Sequence, residues 1–160
     1  MIFFDPLTQD DLLGNGITIG PLMPHEVSAI KAAISKQTSK GNYHFVGIGA
    51  IGKYAMTPEY LELLGYTQAG KWIGFHGFNS QAMFLGSDHT QEMEMNRLLL
   101  FIYSGLFEFS NVSELAGLMI ASYFLGRTVA VGMASKRTTH SELYTAYLNI
   151  GKQAIQIANS

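Results

Sequence analysis

Residues 115–125, LAGLMIASYFL, hold no charged side chain and are apolar on nearly every side. A helix of that composition has no face to give to water, so the rest of the chain has to pack around it. A bilayer-spanning helix needs about 20 predominantly apolar residues. This run and the one at 98–103 are broken by glycine or polar residues before that length. The expectation is a central buried helix in a chain with no membrane span. A length of 160 residues suits one domain. Folding at this size buries roughly 68–70% of the unfolded surface, enough for a core without disulfides or a structural metal.

Composition then narrows the function classes. There is no cysteine, which removes disulfides, thiolate nucleophiles and cysteine-based zinc sites. A net charge of -2 with scattered Lys and Arg argues against nucleic acid as a partner, because displacing counterions from phosphate needs a cationic face. Charged residues make up 14% of the chain against about 25% in ordinary soluble domains, which points toward a surface partly covered by other protein subunits. The opening MIFFDPLTQDDLL has no basic stretch and meets Asp5, Pro6, Asp10 and Asp11 too early for a signal peptide.

Along the chain, residues 1–22 are punctuated by Pro6, Gly14, Gly16, Gly20 and Pro21 and read as an N-terminal arm, with 23–160 as the domain proper. Ile2, Phe3, Phe4 and Leu7 form its apolar cluster, expected either to pack on the chain's own core or to dock into a neighbouring subunit. Pro24 and Glu26 open a first helix with Val27, Ile30, Ala33 and Ile34 on one face, ending near Ser39. The glycine-rich SKGNYHFVGIGAIGKY that follows predicts a turn or small hairpin, with Tyr43, Phe45, Val46 and Ile48 able to form short strands. It lacks both the GxxxxGK[ST] string and a strand–GxGxxG–helix context, so phosphate cradling is not expected of it. Thr57, Pro58 and Gly65 bound a second helix, and 67–80 reads as a link whose Trp72, Phe75, His76 and Phe78 either pin the loop, the favoured reading, or offer a sugar-stacking surface. A brief helix at 80–85, a long one capped by Thr90 and ending at Gly105, the buried helix capped by Ser113, a short helix at 129–133, a turn at KRTTH and a last helix from Ser141 to Ile157 complete a mainly α domain.

The residues by themselves name no chemistry. His25, His44, His76, His89 and His140 lie apart without HExxH or i, i+4 pairing, so no metal site is expected, and nothing calls for a cofactor. No serine stands in a GxSxG elbow. The acid pairs Asp10/Asp11, Glu59/Glu62 and Glu92/Glu94 have the spacing of solvated faces as readily as of catalytic carboxylates.

One resemblance goes further. Residues 32–66, AAISKQTSKGNYHFVGIGAIGKYAMTPEYLELLGY, resemble the active-site region of lysozyme-like peptidoglycan hydrolases, especially phage muramidases and lytic transglycosylases. The segments 84–99 and 114–135 are similar to the later helices of phage-type members, so the likeness spans roughly 24–152. It implies an α+β lysozyme-like fold. It also implies a glycan groove with Tyr43, Gly52, Tyr54, Ala55, Met56, Trp72 and Tyr123 as candidate lining residues. The family's catalytic Glu falls on Thr38, in TSKGNY where members show ESGGNY, and the family's Gln falls on Ala55. Tyr123 stands where phage-type members often show His. A threonine hydroxyl cannot protonate a departing glycosidic oxygen at useful driving force.

Three functions follow from the resemblance. The first is a catalytically degenerate scaffold in a phage tail, baseplate or related injection device, located in the virion and contacting other subunits through its arm. The second is an active muramidase or lytic transglycosylase with an acid relocated to Glu59, Glu62, Glu92, Glu94 or Glu108. The third is a non-catalytic module that binds peptidoglycan on Tyr43, Tyr54 and Trp72.

Overall fold

Pro24 has no amide hydrogen to lose in a first turn, and the Glu26 carboxylate accepts from the Met23 amide at 2.8 Å, so a helix begins here: α1, Pro24–Lys36. The structure is a computed structural model and describes Phe4, Leu7, Thr8, Asp11, Leu12 and residues 15–135 and 141–160. Helix α1 is buried on every side from Glu26 to Ser35, although its sequence reads as one-sided. It stops at Lys36 and not near Ser39, because Lys40 and Gly41 adopt left-handed φ of 55° and 86° and the chain turns.

Two small hairpins flank the second helix. Strands β1 (Val46–Gly47) and β2 (Ala50–Ile51) pair antiparallel with Val46 opposite Ile51, and a further bridge joins Ile51 to Met56. The strand pairing is confined to two residues a side, leaving Tyr43, Phe45 and Ile48 outside it. Helix α2, Pro58–Leu64, has the expected ends: the Thr57 hydroxyl accepts from the Tyr60 amide, and Gly65 closes it at φ 98°. Strands β3 (Thr67–Gln68) and β4 (Lys71–Trp72) form a second hairpin where the sequence reads as a link. Their two-residue turn, Ala69–Gly70, has positive φ at both positions. Alanine rarely adopts that conformation, which hid the turn. A 3-10 turn at Phe75–Gly77 follows, and Trp72, Phe75 and Phe78 pack about the buried Tyr66 and Phe84.

The helical half is α3 (Gln81–Leu85), α4 (Asp88–Tyr103), α5 (Val112–Leu125), α6 (Arg127–Ala134) and α7 (Ser141–Ala158). Three starts lie earlier than the sequence suggests. Ser87, not Thr90, caps α4, its hydroxyl accepting from the Thr90 amide at 3.3 Å. Asn111, not Ser113, caps α5 through the Glu114 amide at 3.0 Å. Helix α6 begins at Arg127, directly after Gly126. At α4 and α5 two cap-competent residues stand close together, Ser87 before Thr90 and Asn111 before Ser113, and in both cases the earlier one accepts the amide bond. The KRTTH turn at 136–140 lies outside the described residues.

Helix α5 is the centre: Leu115, Ala116, Leu118, Met119, Ile120 and Ala121 are fully buried. It packs chiefly on α7, and both contact α1. The α5–α7 approach depends on Gly117 and Gly151, since a Cβ on Gly151 would stand 2.3 Å from the Gly117 nitrogen. The N-terminal segment folds back onto this core. Leu7 is 5% exposed and its amide donates to Gln153 Oε1 at 3.2 Å, while the Phe4 ring lies 5.0 Å from that of Tyr147. Ile19 and Leu22 pair with each other and are fully buried. Ile2 and Phe3 lie outside the described residues. The chain is thus a single, mainly helical domain with two short hairpins, and no helix among the described residues is long and apolar enough to cross a membrane.

Candidate functional site

The glycine-rich strip between α1 and α2 is fastened to the first turns of α4 by two consecutive residues, Gln91 and Glu92. Gln91 Oε1 accepts from the Lys53 amide at 2.8 Å, and its Nε2 donates to the carbonyls of Tyr43 and Phe84 at 3.0 and 3.1 Å. Gly52 has to be glycine here: its φ is 80°, and a Cβ would stand 2.6 Å from Gln91 Oε1.

Glu92 is 6% exposed and takes two donors on each oxygen. Oε1 receives Tyr54 OH at 2.6 Å and Lys31 Nζ at 2.9 Å; Oε2 receives Tyr43 OH at 2.7 Å and Lys53 Nζ at 2.8 Å. Lys31, from the buried middle of α1, also donates to the Asn15 carbonyl at 2.9 Å and to Asn96 Oδ1 at 3.0 Å. Lys53 Nζ lies 3.3 Å from the Tyr43 hydroxyl and 4.8 Å from the centre of that ring. Buried charge is tolerable only when paired and fully hydrogen-bonded, and this carboxylate is both.

The protonation states follow. Burial alone would raise the Glu92 carboxyl, but hydrogen bonds from Lys53, Tyr54, Lys31 and Tyr43 outweigh it and hold the pKa at about 2. Burial lowers Lys31; Glu92 opposes that shift, and the nearby Lys53 charge adds to it. Burial and then the Glu92 charge push the Tyr54 and Tyr43 phenols well above their usual range. Glu92 is therefore an ionised acceptor facing two phenols that keep their protons.

The residues named from the sequence scatter around this cluster. Thr38 is half-buried, and its hydroxyl donates to the carbonyls of Ile34 and Ser35 at 3.1 and 3.3 Å. Its neighbour Ser39 bonds the Lys53 carbonyl. Ala55 sits at φ 50° in the turn between Ile51 and Met56. Tyr54, Met56 and Tyr123 are at most 5% exposed, Tyr43 and Trp72 half-buried. The Tyr123 hydroxyl bonds the Tyr54 carbonyl, so this tyrosine braces the strip from α5. Among the other acids, Glu59 and Glu108 are exposed, Glu62 accepts from the Ala69 amide at 3.0 Å, and Glu94 is ion-paired with Arg97.

Two hollows adjoin the strip. A cleft of about 530 Å³ is bordered by Ser35, Lys36, Tyr43, Lys53 and Asp11, with Lys36 Nζ 3.0 Å from Asp11 Oδ2. A smaller one of about 220 Å³ lies between the hairpins, lined by Val46, Ile51, Met56 and Trp72. Thr38 borders neither. Among the described residues no three His, Asp or Glu gather as a metal site.

Lys31, Lys53 and Gln91 are the site residues that sequence reading missed. Lys31 left a signal, a cation directly beside Ile30 in the Val27–Ile34 stripe of α1, where a charge must be buried or bent away. No protein-family model, no curated protein and no solved structure matches the chain.

Proposed function

We propose that the chain is a catalytically degenerate lysozyme-like domain serving as a structural subunit of a phage tail, baseplate or related injection device. One observation carries the reading: Asp11, which borders the cleft, and Glu92, buried beside it behind Lys53, are both ion-paired and both held below the usual carboxylate range. Glycoside cleavage needs the reverse, a carboxyl with raised pKa that still owns its proton near neutrality. Thr38, at the position the resemblance assigns to the acid, spends its hydroxyl on the last turn of α1. The order helix, glycine-rich hairpin, helix around that position supports the lysozyme-like placement. The low charge and the exposed Met93, Leu100, Phe101 and Phe107 suit a surface covered by other subunits in the virion.

The test is gain of function. Thr38→Glu combined with Ala55→Gln restores the family's acid and amide, and turbidity of a cell-wall suspension is followed beside the unaltered protein. The reading expects clearing only by the double variant. Clearing by the unaltered protein overturns it. A second reading, peptidoglycan binding without cleavage, draws on Trp72 beside the smaller hollow. Titration with muropeptides while following this single tryptophan separates the two, since a pure scaffold gives no saturable change.

A further inference from the structure

Lys31 and Lys53 bring two ammonium groups, on residues 2% and 4% exposed, to one carboxylate. The cluster thus carries an uncompensated positive charge in a protein whose net charge is -2. The excess is not spread evenly. Lys31 has three N–H groups and four acceptors for them, Glu92 Oε1, the Glu92 and Asn15 carbonyls and Asn96 Oδ1. Lys53 has two hydrogen-bond partners, Glu92 Oε2 and the Tyr43 hydroxyl, and lies 4.8 and 5.4 Å from the Tyr43 and Tyr54 ring centres. Its third N–H has no acceptor among the described residues, and Lys53 borders the 530 Å³ cleft. A buried ammonium with a spare donor is costly unless something anionic or polar completes it.

The rest of the cleft has the same sign. Lys36 stands on its wall, and around the cleft and its adjoining hollow Lys31, Lys36 and Lys53 outnumber Asp11 and Glu92 among the described residues. A carboxylate already uses this wall: Asp11, brought by the N-terminal segment, lies 3.0 and 3.2 Å from Lys36 Nζ. We propose that the cleft is an oxyanion-binding site, receiving the carboxylate or phosphate group of a small ligand on Lys53 and Lys36, with Asp11 as the internal group that such a ligand displaces from Lys36. This site stands whether or not the protein cleaves glycan, because it rests on the lysines and the cleft alone.

Calorimetric titration at low salt, with inorganic phosphate, glucuronate and neutral glucose as probes, tests it. Phosphate or glucuronate binds saturably and glucose does not; the stronger of the two anions tells which group the site prefers. Lys53→Gln leaves Glu92 balanced by Lys31 and weakens binding by about tenfold or more, the effect of losing one charge-assisted hydrogen bond. Lys36→Gln, at a half-buried position on the cleft wall, weakens it similarly and serves if the Lys53 variant does not fold. Asp11→Asn tightens binding several-fold by removing the competitor. Absence of saturable binding by both anions, glucose binding as well as they do, or anion affinity unchanged in both Lys36→Gln and Asp11→Asn overturns the proposal.

Discussion

Replacing Glu92 by Gln keeps the side chain's shape and removes the negative charge that Lys31 and Lys53 share. The size of the loss follows from the carboxyl itself. Its pKa falls from an ordinary 4.5 to about 2 in the fold. At 1.36 kcal/mol per unit, that difference is about 3 kcal/mol of stabilisation. Leaving buried charges without a partner costs about 3–5 kcal/mol in general, which agrees. Urea unfolding followed by circular dichroism at pH 7 should show the midpoint lowered by about 1–3 M with the slope unchanged. The pH dependence has a fixed sign. A carboxyl whose folded pKa is depressed contributes fully above its unfolded value, near 4.5, and loses that contribution as pH falls through about 2. The gap between the two proteins should therefore narrow across that window and close at its acid end. A loss below about 1 kcal/mol at pH 7, typical of solvent-exposed pairs, would refute the claim that this cluster is buried and indispensable. So would a gap that stays constant down to pH 2.

Four further outcomes are expected. Gly151→Ala forces a Cβ against the α5 backbone and should cost about 1–3 kcal/mol or more, read as a lower urea midpoint. Leu7→Ala should cost about 2–4 kcal/mol without changing the sedimentation coefficient, since this side chain is buried in its own domain. Thr38→Val, which removes only a hydroxyl bonded back to the last turn of α1, should stay within about 1 kcal/mol of the parent in the same unfolding assay. At alkaline pH the raised phenols of Tyr43 and Tyr54 favour the fold fully below pH 10 and progressively less above it. Ultraviolet titration should accordingly find tyrosinate forming at these positions only together with unfolding.

What the sequence made legible was local chemistry. Helix α2 was readable to the residue because Thr57, Pro58 and Gly65 act on their own neighbours. Helix α5 was readable as central because no arrangement could give LAGLMIASYFL a wet face. The starts of α4 and α5 were misplaced where Ser87 competes with Thr90 and Asn111 with Ser113, residues equally able to cap a first turn. The β3–β4 hairpin was hidden because an alanine occupies a left-handed turn position. The site was the least legible part. Glu92 was visible as one acid among several, but its partners Lys31 and Lys53 lie 61 and 39 positions away, and only the packing of α1 and the strip onto α4 brings them together. A charge neutralised at that range leaves no periodic trace, so α1 read as one-sided when every side of its middle is covered.

Release of soluble muropeptides from purified cell walls, followed by chromatography between pH 4 and 9, addresses the central claim most directly. Because Glu92 gives up its proton far below this range and Thr38 never offers one, the products should match those of a heat-inactivated control at every pH. Time-dependent release at any point in the range, proportional to the amount of folded protein, would contradict the account.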